Sequence, residues 1–377
     1  MARKVQVGII FGGRSGEHEV SVRSAISVIE AIDRDKYEVV PLAITKEGRW
    51  LSPSGSAALL PEHVRGLLPA NVEGSGEALT IVGDPSRAGL FRLEGDGRGS
   101  ARQKLDVVFP VLHGTYGEDG TLQGLLEMAG VPYVGCGVLA SSCGMDKVTM
   151  KVLFRQAGLP MCKYTWFLRG DWERDPRAIS ERVAQEIGFP CFVKPANLGS
   201  SVGISRADDA ETLRAAVELA AGYDRKVIVE EALNMREIEC AVIGNDEPEA
   251  SLPGEYVVHD AQAAFLDYTE KYSNTGHVEF VVPAPVPRRL AERIRRLAVK
   301  AFKAVDGAGL ARVDFFLLRD TNKLLINELN TLPGLTDVSG FPKMWAATGL
   351  PFGKAIERLI ELAFERHEDK SRNLTSL

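Results

Sequence analysis

The sequence lacks the long apolar runs that mark membrane proteins. No stretch of about 18 uncharged apolar residues, the length a membrane-spanning helix needs, occurs among its 377 residues. It has no block of basic residues and a net charge of −6, so it carries no electrostatic footprint for nucleic acid. Its five cysteines are odd in number and form no C-x-x-C pair, which argues against a disulfide framework or a zinc site. The apolar run after Lys4 is too short for a signal peptide. We therefore expect a cytoplasmic protein with reduced thiols that binds neither membranes nor nucleic acid.

The first part of the chain predicts a parallel α/β unit. A β-branched apolar strand covers residues 5–11, and apolar residues recur at helical spacing between residues 21 and 32. A second strand follows at residues 37–44, so the opening is a βαβ unit. Residues 46–103 are rich in Gly, Ser and Pro, which predicts a surface insertion with one hairpin between residues 79–82 and 90–93.

The rest of the chain alternates predicted strands with predicted helices, and the whole is too long for one ordinary core. The predicted strands are residues 105–112, 131–134, 191–193, 226–230, 239–243, 311–317 and 323–328. The predicted helices are residues 120–128, 146–156, 179–187, 289–305 and 354–364. This order favours three α/β domains around a cleft: residues 1–140 with the insertion, 141–231, and 232–377.

A glycine cluster, Gly12-Gly13-Arg14-Ser15-Gly16, lies between the first strand and the first helix. Taken alone it resembles a dinucleotide-binding turn, which would make the protein an oxidoreductase. The second strand, however, ends at Thr45-Lys46 without the acidic residue that binds a ribose hydroxyl, and no Walker A sequence occurs. A plain turn without a ligand is the structural alternative. Glu17 begins a run of two acids and a histidine at the helix start, where a carboxylate can hold a substrate ammonium.

A second cluster begins at Lys194, which closes an apolar strand, and continues through a loop with two glycines and two serines up to Gly203. Backbone N–H groups and hydroxyls in such a loop can hold a phosphate, and the lysine adds a point charge. A plain connector is the alternative for the loop. Lys147 stands at another predicted helix start, where it is either a second phosphate lysine or an ordinary surface lysine.

The third cluster lies on two neighbouring strands near the end of the chain. Side chains two apart on a strand point to the same face, so Arg312 projects with Asp314, and Glu328 with Asn330. If the strands pair, three oxygen-bearing groups meet beside a guanidinium, an arrangement that suits Mg²⁺ shared with nucleotide phosphates. A salt-bridged strand pair is the alternative, but carboxylates at the end of an apolar strand are costly without such a partner.

Together these motifs resemble the D-alanine–D-alanine ligase family of the ATP-grasp superfamily. They occur in the family's order from residue 7 to about residue 345, and only residues 46–103 are longer than in the shorter members. The strings that carry the resemblance are Gly12-Gly13 with Glu17-His18-Glu19-Val20-Ser21, His113-Gly114-Thr115-Tyr116-Gly117-Glu118-Asp119-Gly120, Lys194 with Gly199-Ser200-Ser201-Val202-Gly203, and Asn327-Glu328-Leu329-Asn330-Thr331-Leu332-Pro333-Gly334-Leu335-Thr336.

The resemblance implies a three-domain ATP-grasp fold: an N-terminal Rossmann-like domain with a parallel sheet, and two α+β domains that clasp ATP. It implies ligation of two D-alanines through D-alanyl phosphate for peptidoglycan synthesis, two Mg²⁺ (or Mn²⁺) ions, and a homodimer. The implied nucleotide contacts are Lys147, Lys194, Ser200, Ser201, Val202, Glu230, Glu231, Leu233, Glu237 and Lys271, and the implied metal ligands are Asp314, Glu328 and Asn330. The implied substrate and catalytic residues are Glu17, Ser200, Tyr272, Arg312, Gly334 and Ser339, with His113 nearby and residues 265–276 as a closing loop.

The second substrate is less closely defined by the sequence. D-alanine–D-lactate ligases lack a tyrosine at the position of Tyr272, so its presence favours an amine acceptor; a D-lactate or D-serine ligase is the alternative. Gly340 stands where members of the family mostly carry leucine or methionine, which suggests extra room for a larger second amino acid. A non-catalytic amino-acid sensor is the remaining alternative, although no implied metal ligand or phosphate lysine is missing.

Overall fold

The computed structural model describes residues 3–69, 79–87, 89–93, 99–199, 202–258 and 278–374. Its strands are β1 (Val5–Gly12), β2 (Tyr37–Ile44), β3 (Leu79–Ile81), β4 (Leu90–Leu93), β5 (Gly99–Gln103), β6 (Val107–Pro110), β7 (Tyr164–Leu168), β8 (Cys191–Pro195), β9 (Ser205–Ala207), β10 (Lys226–Glu231), β11 (Met235–Gly244), β12 (Glu249–Ala250), β13 (Gly254–Val258), β14 (Val278–Val281), β15 (Gly309–Leu318) and β16 (Leu324–Asn330). Its helices are α1 (His18–Ala31), α2 (Pro53–Ala57), α3 (Glu62–Arg65), α4 (Thr121–Met128), α5 (Val138–Met145), α6 (Lys147–Gln156), α7 (Arg169–Arg174), α8 (Pro176–Glu186), α9 (Ala210–Tyr223), α10 (Arg288–Ala304), α11 (Gly340–Thr348) and α12 (Phe352–Ser371).

The N-terminal sheet is parallel, with the strand order β2-β1-β6. Alternate side chains of β1 enter different cores: Ile9 packs with residues of α1, whereas Ile10 packs with residues of α4. Helices therefore cover both faces, which explains why these strands read as continuous apolar runs. The predicted βαβ unit is confirmed.

Within the insertion, β3 pairs antiparallel with β4, as the predicted hairpin requires, and β4 also pairs with β5. The predicted strand at residues 131–134 is wrong. That segment makes only an isolated parallel bridge between Val108 and Tyr133, although Val131, Tyr133 and Val134 are buried. Burial there comes from packing beside β6 rather than from a strand ladder.

Two further sheets form the rest of the molecule. The first has the order β7-β10-β8-β9, and α8 and α9 contribute to its core. The second has the order β14-β13-β11-β15-β16, with β12 paired to β11, and its apolar face packs against α10 and α6. The edges of these two sheets meet at an isolated bridge region where Met161, just before β7, pairs with Ile326 of β16.

The C-terminal helices return to the N-terminal sheet. Leu359 and Ile360 of α12 belong to the same buried cluster as Ile29 of α1 and Ile9 of β1. The N-terminal sheet therefore packs against α12. The domain limits given by the sequence stay a prediction. Among the described residues, no helix is long and apolar enough to cross a membrane.

Candidate active site

The paired ends of β15 and β16 carry the most concentrated group of charged and amide side chains. Arg312 lies opposite Asn330 and Asp314 opposite Glu328, so the pairing on which the sequence prediction depended is present. Arg312 donates two hydrogen bonds of 2.7 Å to the two carboxylate oxygens of Asp314. The amide nitrogen of Asn330 donates to Asp314 Oδ2 at 3.0 Å. Arg312, Asp314 and Asn330 thus form one connected polar cluster, and Glu328 lies opposite Asp314 in the strand ladder.

The carboxylate of Glu328 is held in its ionised form. Burial by itself would raise its pKa, but the positive charges of Lys147, Lys194 and Arg312 lower the pKa to about 2. Lys147 Nζ lies 3.2 Å from Glu328 Oε2. Two carboxylates and an amide oxygen on adjacent strands are hard oxygen donors, which fit Mg²⁺ or Mn²⁺. The residues present are therefore a suitable donor set for a divalent metal.

A second buried charge cluster connects the two C-terminal sheets. Glu230 of β10 accepts from Lys194 of β8 at 2.7 Å and from Lys151 of α6 at 2.8 Å, and all three side chains are mostly buried. Burial opposes the ionised form of Glu230, yet the two lysine charges keep its pKa below the usual range. Lys151 also donates to the backbone oxygen of Asn327 at 3.4 Å, next to Glu328.

Sequence reasoning did not single out Lys151. Its position one turn after Lys147 on α6 was the available signal, because residues three or four apart share a helix face. Lys147 itself donates to the backbone oxygen of Leu198 at 2.9 Å in the β8–β9 connection. The structure therefore brings Lys147, Lys194 and Glu230 together with Glu328 around one centre.

The N-terminal motif faces the same centre from the other side. Glu17 lies at the start of α1. A Cβ on Gly114 would lie 3.1 Å from Glu17 Oε2, and a Cβ on Gly199 would lie 3.3 Å from the same atom. His113 bonds the backbone oxygen of Leu332 at 3.0 Å through Nδ1 and Ser24 at 3.1 Å through Nε2. Burial lowers the pKa of His113, which favours the neutral ring.

Glu118 is a site residue to which the sequence assigned no role. Its Oε1 accepts a 2.8 Å hydrogen bond from the backbone of Gly114, and a Cβ on Gly199 would lie 4.0 Å from the same atom. Burial, with the nearby charge of Glu17, raises the pKa of Glu118 to about 8. The signal in the sequence was its place in the string His113–Gly120.

The loop from Thr331 to Ser339 closes the site beside α11. Gly334 and Ser339 are both buried, and Ser339 is the N-cap residue of α11, with its hydroxyl 2.7 Å from that of Thr336. Gly340 does not provide the extra room that its small size suggested. A Cβ there would overlap Glu239 Oε2 and lie 2.8 Å from Phe280 Cζ. The space beside Gly340 is filled by these two side chains.

The remaining implied nucleotide contacts lie around β10 and its neighbours. Val202 is exposed. Leu233, between β10 and β11, and Glu237, on β11, are half-buried. Glu231 points away from the lysines and accepts from the backbone of Lys163 at 2.8 Å, so its side chain is not part of the charge cluster. Ser200, Ser201, Lys271 and Tyr272 lie outside the described residues, as does the implied loop 265–276.

The fold and the site define the class: a parallel N-terminal sheet and two antiparallel sheets meeting at a lysine- and carboxylate-lined centre form an ATP-grasp architecture. Family models described as the N-terminus and the C-terminus of D-ala D-ala ligase match residues 6–136 and 153–361. The chain belongs to the D-alanine–D-alanine ligase family, and the oxidoreductase alternative is excluded.

Individual relatives agree over the whole chain. It is 46% identical to the D-alanine–D-alanine ligase of Heliobacterium modesticaldum over 99% of this chain and 98% of that protein. The solved D-alanine-D-alanine ligase of Coxiella burnetii superposes with a TM-score of 0.79 at 36% identity, covering 98% of each chain. The solved VanG D-Ala:D-Ser ligase of Enterococcus faecalis superposes with a TM-score of 0.80 at 34% identity, covering 96% of this chain and 100% of that one.

Proposed function

We propose that the protein joins two D-alanine molecules to D-alanyl-D-alanine at the expense of ATP, for peptidoglycan precursor synthesis. The family is ATP-dependent and uses a divalent metal. A carboxylate is a poor electrophile, so the carboxylate of the first D-alanine first attacks the γ-phosphorus of ATP and gives D-alanyl phosphate and ADP. The neutral amine of the second D-alanine then attacks the acyl carbon, and inorganic phosphate leaves.

The observation that carries this proposal is the Lys147–Glu328 ion pair beside Arg312, Asp314 and Asn330, with the charge of Lys194 close enough to lower the pKa of Glu328. Phosphoryl transfer depends chiefly on positioning and charge neutralisation. Lys147 and Lys194 would neutralise phosphate oxygens, while Asp314, Glu328 and Asn330 would hold two Mg²⁺ or Mn²⁺ ions. Bound metal would supply further positive charge to the transferring phosphoryl group.

The remaining roles follow the chemistry of the two amino acids. Glu17 would bind the ammonium of the first D-alanine, with Ser200 and Tyr272 joining it in a hydrogen-bonded triad. Arg312 and the backbone N–H of Gly334 would stabilise the oxyanion of the tetrahedral intermediate. Ser339 would bind the carboxylate of the second D-alanine from the start of α11, where helix N-terminal amides favour an anion.

The nucleotide would lie between the two antiparallel sheets. Glu230 and, just after β10, Leu233 would contact the adenine region, Glu231 at the end of β10 would be a further nucleotide contact, and Glu237 would contact the ribose. Ser201, Val202 and Lys271 would complete the phosphate contacts. We also propose the domain limits 1–140, 141–231 and 232–377, a homodimer, and a cytoplasmic location; sedimentation of the purified protein at about twice its monomer mass tests the dimer.

The direct test is phosphate release by the purified protein with ATP and Mg²⁺. D-alanine alone should support release and yield D-alanyl-D-alanine, whereas L-alanine should not. The D-Ala:D-Ser ligase among the similar structures makes D-serine the second candidate acceptor. D-serine and D-lactate are therefore each added beside D-alanine. Release that requires D-serine or D-lactate would refute the D-alanine acceptor, and no release under any condition would favour the sensor alternative.

A further inference from the structure

The ring of Phe280 on β14 is wedged between two glycines. A Cβ on Gly254 would lie 2.8 Å from Cε1 of this ring and even closer to Cζ, and a Cβ on Gly340 would lie 2.8 Å from Cζ. Real Cβ atoms do not approach neighbouring carbons so closely, so each glycine leaves room for the ring. The tip of Phe280, together with Glu239 Oε2, therefore occupies the position that a side chain at residue 340 would take.

The ring is held firmly in this position. Phe280 lies opposite Tyr256 in the β13–β14 ladder, and the two ring centroids are 4.7 Å apart at an angle of 56°. Tilted aromatic pairs at this separation stabilise each other beyond the area they bury. Phe280 also packs against the large core cluster that contains Phe341 and Trp345 of α11. Because these contacts fix the Phe280 side chain on several sides, its ring forms a rigid wall.

This wall stands beside the groups to which we assign the second amino acid. Gly340 directly follows Ser339, the proposed carboxylate contact. The same hypothetical Cβ at Gly340 overlaps Glu239 Oε2, and the other oxygen of Glu239 lies 3.2 Å from Nε of Arg312, the proposed oxyanion contact. The tip of Phe280 thus lies next to a carboxylate that contacts Arg312 and next to the residue after Ser339.

We propose that Phe280 closes the side-chain pocket of the second amino acid and limits it to a group of methyl size. The inference rests on the proposed function, because it concerns the acceptor of that same reaction. Gly340 then leaves room for the ring of Phe280 and does not enlarge the pocket. The wall that a side chain at residue 340 would form is supplied by Phe280 from β14.

The test replaces the tip of the ring while keeping an apolar side chain. Phe280→Leu removes the outer ring carbons that face Gly340, and Phe364→Leu is the matched control, because Phe364 packs against the same core cluster from α12. Each enzyme receives D-alanine with D-2-aminobutyrate, which is larger by one methylene. The ratio of D-alanyl-D-2-aminobutyrate to D-alanyl-D-alanine is measured by mass spectrometry.

We expect this ratio to rise about 10-fold or more in Phe280→Leu, since one methylene in an apolar pocket is worth about that factor, and to stay unchanged in Phe364→Leu. An unchanged ratio in Phe280→Leu would overturn the role of Phe280. Failure of the unaltered enzyme to make D-alanyl-D-alanine would instead overturn the proposed function, so the two failures are distinct.

A second measurement tests the same contact from the side of Gly340. Gly340 has no positive φ, so the cost of Gly340→Ala is steric rather than a backbone cost. Gly340→Ala should lower kcat/KM for the second D-alanine, and adding Phe280→Leu should recover part of the loss. Losses that simply multiply in the double variant would show that the two positions do not share this space, and would overturn the proposal.

Discussion

Lys151 is the residue whose removal has the most clearly calculable effect on stability. Its side chain is 1% exposed and its partner Glu230 is 4% exposed, with 2.8 Å between Nζ and Oε1. Lys151→Met keeps most of the volume of the side chain but removes the charge. Glu230 then keeps only Lys194, at 2.7 Å, and the backbone oxygen of Asn327 loses a donor.

The size of the effect follows from what remains after the substitution. Removing one partner of a buried ion pair costs about 3–5 kcal/mol when the other charge is left without compensation. Here Lys194 still compensates Glu230, so the loss should lie at the lower end, about 3 kcal/mol. A charged hydrogen bond contributes about 1.5–3 kcal/mol, which agrees with this figure. Because Lys151 fixes the proposed adenine contact, KM for ATP should also rise.

Urea unfolding monitored by fluorescence measures the loss as a lower midpoint at unchanged slope. Arg288→Met is the control, since Arg288 and Glu292 form an i,i+4 pair on the surface of α10, where such pairs contribute about 0.5 kcal/mol or less. If Lys151→Met shifts the midpoint no further than Arg288→Met, the buried cluster does not stabilise the junction of the two sheets, and the reasoning fails.

Three further predictions concern individual side chains. Arg312→Ala should lower turnover by about 100-fold or more, as loss of an oxyanion donor does, and near-normal turnover would remove that role. Glu328→Gln should raise the Mg²⁺ concentration for half-maximal phosphate release by about 10-fold or more, and an unchanged value would contradict metal binding there. Because the pKa of Glu118 is raised to about 8 from the ordinary 4.5, the stability it contributes is complete below pH 4.5 and is lost as pH rises towards 8. This loss is up to about 4 kcal/mol, so the urea midpoint of Glu118→Gln should fall less between pH 5 and 8 than that of the unaltered enzyme.

The sequence predicted those parts of the site in which a local period determines geometry. Arg312 and Asp314 share a strand face because side chains alternate, and pairing of β15 with β16 then brings Glu328 opposite Asp314. The βαβ start of the chain follows from the same kind of local pattern. A one-residue shift in the pairing of β15 with β16 would place the side chains of one strand on the opposite face of the sheet. The observed positions therefore confirm the predicted strands as well as the predicted cluster.

Contacts between distant elements were not predictable in this way. Residues 131–134 have strand-like composition, but they pair with β6 through a single bridge. Composition does not show whether a segment has a neighbouring strand with which it can form a ladder. Gly340 suggested open space because a sequence shows the missing side chain but not its neighbours. Phe280 lies 60 residues earlier on another element and fills that space. Lys151 looked like any helix lysine because its partner Glu230 is on a strand, β10, far along the chain.

The cations of the site are paired with its carboxylates. Arg312 with Asp314, Lys147 with Glu328, and Lys194 with Glu230 each join a group assigned to phosphate or oxyanion with a group assigned to metal or adenine. With the roles proposed above, binding of ATP with its divalent metal would be an exchange of partners, in which the phosphates would pair with the lysines and the metal with Asp314 and Glu328. Either ligand alone would leave one member of a buried pair uncompensated, which is costly. The metal and the nucleotide should accordingly strengthen each other's binding, and the buried charges would provide the coupling.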